Sequence, residues 1–253
     1  MVVVADYGRT VRMCRLVAVE RSRPLLFAMD DAVYAGPRGR LRAPAQMLEL
    51  MSTRLLRPSA LLANIGFFER FVSSSAAQGR VCSLSLSSPT DVARKYRLSS
   101  VPRAVHEAMD AVAVHLSTDC DEEAATVQLA SDLVAEARSL GVPVLVAAYS
   151  RPTRAIGTDH TRAVRIALEI GADIIKTGLP IEQRAVDDLV ASSSGVPLVF
   201  AGGAFESDDQ TVAIIRRVAT LPSHVGLCLG RTISEATDLE RIVSELREFQ
   251  ERR

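Results

Sequence analysis

Short aliphatic, β-branched runs recur along the chain, each separated from the next by a longer amphipathic stretch. Residues 25–30, 60–65, 81–87, 111–117, 143–150, 173–178, 197–203 and 225–231 read as strands, eight in all. Between them, residues 121–140, 161–170, 181–192, 207–220 and 234–252 carry apolar positions at three- and four-residue steps. The first of these has acidic residues in its opening turn and stops at Gly141 and Pro143. Eight strand-then-helix units in 253 residues are the count and length of a (β/α)8 TIM barrel, a single domain spanning residues 1–253. An open doubly wound sheet would instead place a glycine-rich phosphate turn after the first strand. That strand runs into MDDAVYAG, which lacks the GxGxxG spacing. The serine-rich stretches 73–79 and 85–102 read as longer surface connections.

Composition narrows the function classes. An apolar fraction of 48% supports a large core, and thirty basic against thirty acidic residues leave no net charge. No overall field therefore favours nucleic acid or an anionic membrane, and any anion must be bound locally. The apolar stretch 142–148 falls far short of the roughly 20 residues that span a bilayer, so the expectation is a soluble, cytoplasmic protein without membrane contact. Cys14, Cys82, Cys120 and Cys228 are scattered without a CxxC, and His106, His115, His160 and His224 are equally dispersed. Free thiols, no metal and no cofactor are the reading. Of the thirty basic residues only Lys95 and Lys176 are lysines, leaving 28 arginines. In a chain that uses arginine for ordinary surface charge, a lysine points to amine chemistry.

In this architecture reactive groups gather where strands end. The polar residues at those ends are Asp30 and Asp31, Asn64, His115 and Ser117, Tyr149, Lys176, Gly202 and Gly203, and Gly230 and Arg231. Lys176, in GADIIKTG, shares the inward parity of Ile174. Burial lowers the pKa of an amine, and a neutral amine attacks a ketone to give an imine and then an enamine. The competing reading is a strand-end lysine that reaches solvent or a carboxylate. Tyr149 ends the neighbouring strand and could relay a proton; Asp30 could act as acid or base, or merely cap the following turn. The glycine pairs and Arg231 suit a phosphate, unless Arg231 is spent on a salt bridge at the helix start. His115 reads as a packing residue or a substrate contact, and Asp31 as a further substrate contact.

With these residues assembled, the chain resembles the archaeal-type class I fructose-bisphosphate aldolases and their relatives, the 2-amino-3,7-dideoxy-D-threo-hept-6-ulosonate synthases. The resemblance rests on GRTVRMCRL (8–16), AMDDAVYAGPRGRL (28–41), DAVAVHLS (110–117), EARSLGVPVLVAAYSRP (136–152), EIGADIIKTG (169–178), FAGGAF (200–205) and LGRTISEA (229–236). It implies that Lys176 is the Schiff-base lysine, Tyr149 the proton-transferring tyrosine and Asp30 the catalytic aspartate. Gly202, Gly203, Gly230 and Arg231 would hold the substrate phosphate. It implies metal-independent catalysis by a homo-oligomer, often of ten subunits, acting on a phosphorylated small molecule and an aldehyde.

Three motifs depart from the family pattern. Asp31 and Ala32 stand where a histidine and a small residue are usual, KTGLP lacks a following tyrosine, and Ala201 replaces a polar residue before the glycine pair. These positions bear on the acceptor and the phosphate contacts. They favour a biosynthetic aldolase with an acceptor like aspartate semialdehyde over cleavage of fructose 1,6-bisphosphate or a non-catalytic sugar-phosphate-binding barrel.

Overall fold

Strict inside-outside alternation in the strands produces two nested cores. The computed structural model describes residues 7–17, 23–53, 58–71, 79–87, 92–150 and 159–251. Its strands are β1 (Leu25–Ala28), β2 (Ala60–Ala63), β3 (Gly79–Ser83), β4 (Ser85–Ser87), β5 (Lys95–Arg97), β6 (Ala111–Thr118), β7 (Val144–Ser150), β8 (Ile174–Gly178), β9 (Leu198–Ala201) and β10 (Val225–Leu229). Its α-helices are α1 (Tyr7–Leu16), α2 (Asp31–Ala35), α3 (Pro44–Thr53), α4 (Ile65–Phe71), α5 (Val101–His106), α6 (Glu123–Ser139), α7 (Thr161–Glu169), α8 (Gln183–Ser192), α9 (Asp208–Val218), α10 (Arg231–Ser234) and α11 (Leu239–Glu251). Eight strands close in the order β1-β10-β9-β8-β7-β6-β3-β2, every neighbouring pair parallel. This is the expected (β/α)8 TIM barrel. Among the described residues no helix is long and apolar enough to cross a membrane.

Leu26, Leu62, Val81, Leu145, Ile174 and Val199 fill the barrel interior together with several alanines, while Leu25, Phe27, Val146 and Phe200 pack outward under the helices. Helix α1, which the periodicity did not reveal, closes the N-terminal end of the barrel. Its Leu16 is fully buried in the inner core, with Met13 and Val17 beside it. Three arginines clamp it: Arg9 on Asp173, Arg15 on Asp110 at 2.9 Å, and Arg12 on the Gly141 carbonyl at 3.1 Å. With that end plugged, the opposite mouth is left for chemistry.

Two sequence readings need correction. Residues 81–87 are not one strand. The Leu84 N–H still donates to Ala113 at 2.8 Å, but the Leu84 carbonyl accepts from Leu98, so the chain leaves the barrel and β4 pairs antiparallel with β5. Likewise, 234–252 is not one helix: the Asp208 carboxylate accepts the N–H groups of Thr237 and Asp238 at 3.1 and 2.7 Å, and the helix restarts at Leu239 with Asp238 capping Arg241. Of the expected surface connections, residues 73–78 and 88–91 lie outside the described residues, and Gly79 opens β3.

Close approach at the barrel base gives a stability prediction. A Cβ on Gly226 would stand 2.1 Å from the Pro24 carbonyl oxygen, backbone that cannot move aside. Gly226→Ala is therefore expected to cost about 3 kcal/mol or more of unfolding free energy by denaturant titration. Gly66→Ala, on α4 with open space around it, is expected to gain about 0.5–1 kcal/mol. A neutral Gly226→Ala would show that β1 and β10 are not packed this closely.

Candidate active site

Lys176 lies on β8 with the inward parity of Ile174, and its backbone registers with Ala147 on β7 and Val199 on β9. The residue is half-buried, and its amine hydrogen-bonds the thiol of Cys228, on β10. Asp30 follows β1 at the N-cap of α2, yet its side chain makes no capping bond. It turns into the barrel, where it hydrogen-bonds Ser83 and interacts electrostatically with Lys176. Tyr149, two residues beyond Ala147, is felt by Lys176, Asp30 and Arg231 alike. The three residues expected to carry catalysis thus converge with Cys228, and the reading of Asp30 as a turn cap is set aside.

The protonation states differ from the expectation drawn from burial alone. Burial acts to lower the Lys176 pKa, but Cys228, Tyr149 and Asp30 together outweigh it and hold the amine above its ordinary value. Burial pushes both the thiol and the phenol up, with the Lys176 ammonium pulling each the other way. Asp30 is itself held above the usual carboxylate range, chiefly by burial, with Lys176 pulling the other way and the Asp31 charge adding to the rise. The site thus sets an amine beside a carboxyl group, placed to exchange a proton with each other.

The sign of a substitution follows. Asp30→Asn removes a contribution that raises the lysine pKa and leaves desolvation in place, so the neutral amine is reached at lower pH. The pH at which a bound ketone is half-maximally trapped on Lys176 is expected to move down in Asp30→Asn, measured by cyanoborohydride reduction and intact-mass analysis. An unchanged or raised midpoint would show that Asp30 does not hold the ammonium.

Gly202 and Gly203 follow β9; Gly230 and Arg231 follow β10, with Arg231 opening α10. Gly203 has φ +73°, which glycine adopts without strain. A Cβ on Gly202 would stand 2.7 Å from Thr232 Oγ1, a buried oxygen with no hydrogen-bond partner. Gly39, also at positive φ, packs against the Ser234 carbonyl and fastens the segment after β1 to this corner. The Arg231 guanidinium makes no ion pair or hydrogen bond with the described residues, so the salt-bridge reading is set aside. The corner offers a cation with no partner among the described residues, glycine backbone and an orphaned hydroxyl, a set suited to phosphate oxygens.

The remaining sites divide. His115 faces inward on β6, level with Ala147. Asp31 lies in the first turn of α2, where its charge acts on Asp30. Sequence reading missed Cys228, though the parity of Gly226 and Cys228 places it inward, and Thr232. It also missed His160, whose ring meets Tyr149 edge-on at 5.6 Å and accepts the Ser150 N–H at 3.0 Å. Nothing local in the sequence marks that long-range contact. The segment 151–158 after β7 lies outside the described residues. Among those described, no group of three or more His, Cys, Asp or Glu is placed to hold a metal ion.

Comparison with known proteins bears on this geometry. The model of the DeoC/LacD family aldolases matches residues 61–236. A 2-amino-3,7-dideoxy-D-threo-hept-6-ulosonate synthase of Halobacterium salinarum is 29% identical over 236 residues, covering 91% of this chain and 86% of that protein. A 2-amino-4,5-dihydroxy-6-oxo-7-(phosphonooxy)heptanoate synthase of Streptomyces griseus is 26% identical over 249 residues, covering 92% and 87%. Among solved structures, a Schiff-base-forming fructose-1,6-bisphosphate aldolase shares the fold with TM-score 0.82 at 19% identity, covering 95% of this chain and 98% of that one.

Proposed function

The chain belongs to the DeoC/LacD aldolase family, and from that premise we propose that it joins a phosphorylated ketone donor to an amino-acid aldehyde through an imine on Lys176. The observation that carries this is the convergence of Lys176, Asp30, Tyr149 and Cys228 in the interior of the barrel mouth.

Asp30 takes the ammonium proton, and the freed amine adds to the donor carbonyl. Loss of water leaves a protonated imine, whose positive nitrogen draws electrons from the neighbouring C–H bond. Asp30, which has given its proton to the departing water, takes that C–H proton, and the enamine is left. The enamine carbon attacks the aldehyde carbon, the aldehyde π pair moves onto its oxygen, and that oxygen takes a proton from Tyr149. Water then hydrolyses the iminium and restores Lys176.

The substrate class follows from the relatives' products. The Streptomyces griseus enzyme is named for a seven-carbon 2-amino acid with hydroxyls at carbons 4 and 5, a ketone at 6 and a phosphate at 7. Breaking that product between carbons 4 and 5 in the aldol sense gives dihydroxyacetone phosphate and aspartate semialdehyde. The Halobacterium product is deoxygenated at carbon 7, and so has no place for that phosphate. The unpaired Arg231 and the glycine corner favour the phosphorylated donor here. A homo-oligomer belongs to the same proposal, and light scattering on the purified protein measures it.

The test is product formation from dihydroxyacetone phosphate and a panel of aldehydes, followed by mass spectrometry. A seven-carbon amino-acid adduct with aspartate semialdehyde is expected. Turnover confined to glyceraldehyde 3-phosphate would mark a fructose-bisphosphate aldolase, and binding without turnover of any aldehyde would mark a non-catalytic sugar-phosphate barrel.

A further inference from the structure

Resting on that reading, we propose that His115 and Ser117 of β6 form the seat of the acceptor aldehyde. In this seat a neutral imidazole N–H donates to the oxygen on which charge develops as the carbon–carbon bond forms.

Ser85 is the neighbour that bears on the tautomer of His115. The Ser85 hydroxyl oxygen accepts the backbone N–H of His115 at 2.8 Å and lies 3.0 Å from Nδ1. The serine keeps its own hydrogen for Nδ1, and we assign the tautomer in which it is donated there and the ring proton is on Nε2. Nε2 has no hydrogen-bond partner among the described residues, and the ring points inward with the parity of Ala111 and Ala113. Burial, Lys95 and Lys176 push the His115 pKa down to about 3 against an opposite pull from a hydrogen bond with the Ser85 backbone, so the ring stays neutral through the physiological range and does not compete with Asp30 for the lysine proton.

Position matches the reaction. His115 registers with Ala147, and Ala147 with Lys176, so the two long side chains flank a single methyl group. Two strand spacings separate them, about 9.6 Å. In the adduct, four bonds lead from the lysine nitrogen to the acceptor oxygen, about 5 Å, and a hydrogen bond adds about 3 Å. The substrate therefore spans the slot above Ala147. One inward step further on β6, Ser117 Oγ is buried, 1% exposed by residue, and has no partner. It is level with Tyr149, the proton source. A second donor or acceptor thus faces the same place, for the hydroxyl or carbonyl of the incoming aldehyde.

The test separates donor activation from addition. His115→Leu is expected to trap dihydroxyacetone phosphate on Lys176 under borohydride as the unaltered protein does. Its addition to the preferred aldehyde should be slower by about 100- to 1000-fold, the cost of losing one donor to a developing oxyanion. His115→Gln, whose amide N–H can take the place of Nε2–H, is expected to recover to within about tenfold. Addition by His115→Leu within threefold of the parent would overturn the proposal, as would loss of donor trapping in both variants, which would place His115 in imine formation or in folding. Failure of the parent itself to trap the donor would instead overturn the aldolase reading on which the proposal rests.

Discussion

Lys176→Arg is expected to lower carbon–carbon bond turnover by on the order of 10⁴-fold or more, with the fold retained. Arginine keeps the positive charge that Asp30 faces and fills a similar volume, so the electrostatic balance of the barrel mouth survives. What it lacks is a nitrogen that can shed its proton and add to a carbonyl, because a guanidinium stays protonated in proteins. Steady-state assay with the donor and its preferred aldehyde measures the effect, and circular dichroism checks the fold. A barrel that only senses sugar phosphates would be indifferent to the exchange. Turnover within tenfold of the parent would therefore remove the imine from the mechanism.

The second large effect concerns the phosphate. Arg231, without an ion pair or hydrogen bond among the described residues, opens α10 after Gly230, and the orphaned hydroxyl of Thr232, the next residue, faces Gly202. A charge-assisted hydrogen bond contributes about 1.5–3 kcal/mol, so Arg231→Leu is expected to lower kcat/KM for dihydroxyacetone phosphate by roughly 10- to 150-fold, mostly through KM. Unphosphorylated dihydroxyacetone is the control, and its kcat/KM is expected to change by less than about threefold. An equal loss on both donors would place Arg231 elsewhere in the mechanism, through its electrostatic reach to Tyr149 for example.

How much of this was legible in the chain depends on how local each cause is. The barrel strands were readable because parallel strands are buried on both faces and stand out as continuous apolar runs. The inward parity of Ile174 with Lys176 was readable too. The break at Leu84 was not, because Leu84 continues an apolar run and only its bonds to Ala113 and Leu98 divert the chain. Helix α1 escaped because its register comes from arginine clamps to Asp110 and Asp173, far along the sequence. The sign of the Lys176 shift escaped for a related reason. Burial could be inferred from one strand, but the acidic neighbours come from β1, β7 and β10, and only closure of the barrel brings them together. That Arg231 has no ion pair among the described residues is likewise visible only once its surroundings are known.

Scarcity of lysine makes the central claim open to a direct measurement. Reduction with borohydride in the presence of dihydroxyacetone phosphate should add the reduced donor to one peptide, that containing Lys176, with the Lys95 peptide unmodified. An adduct on Lys95, or none on either lysine while turnover continues, would contradict it.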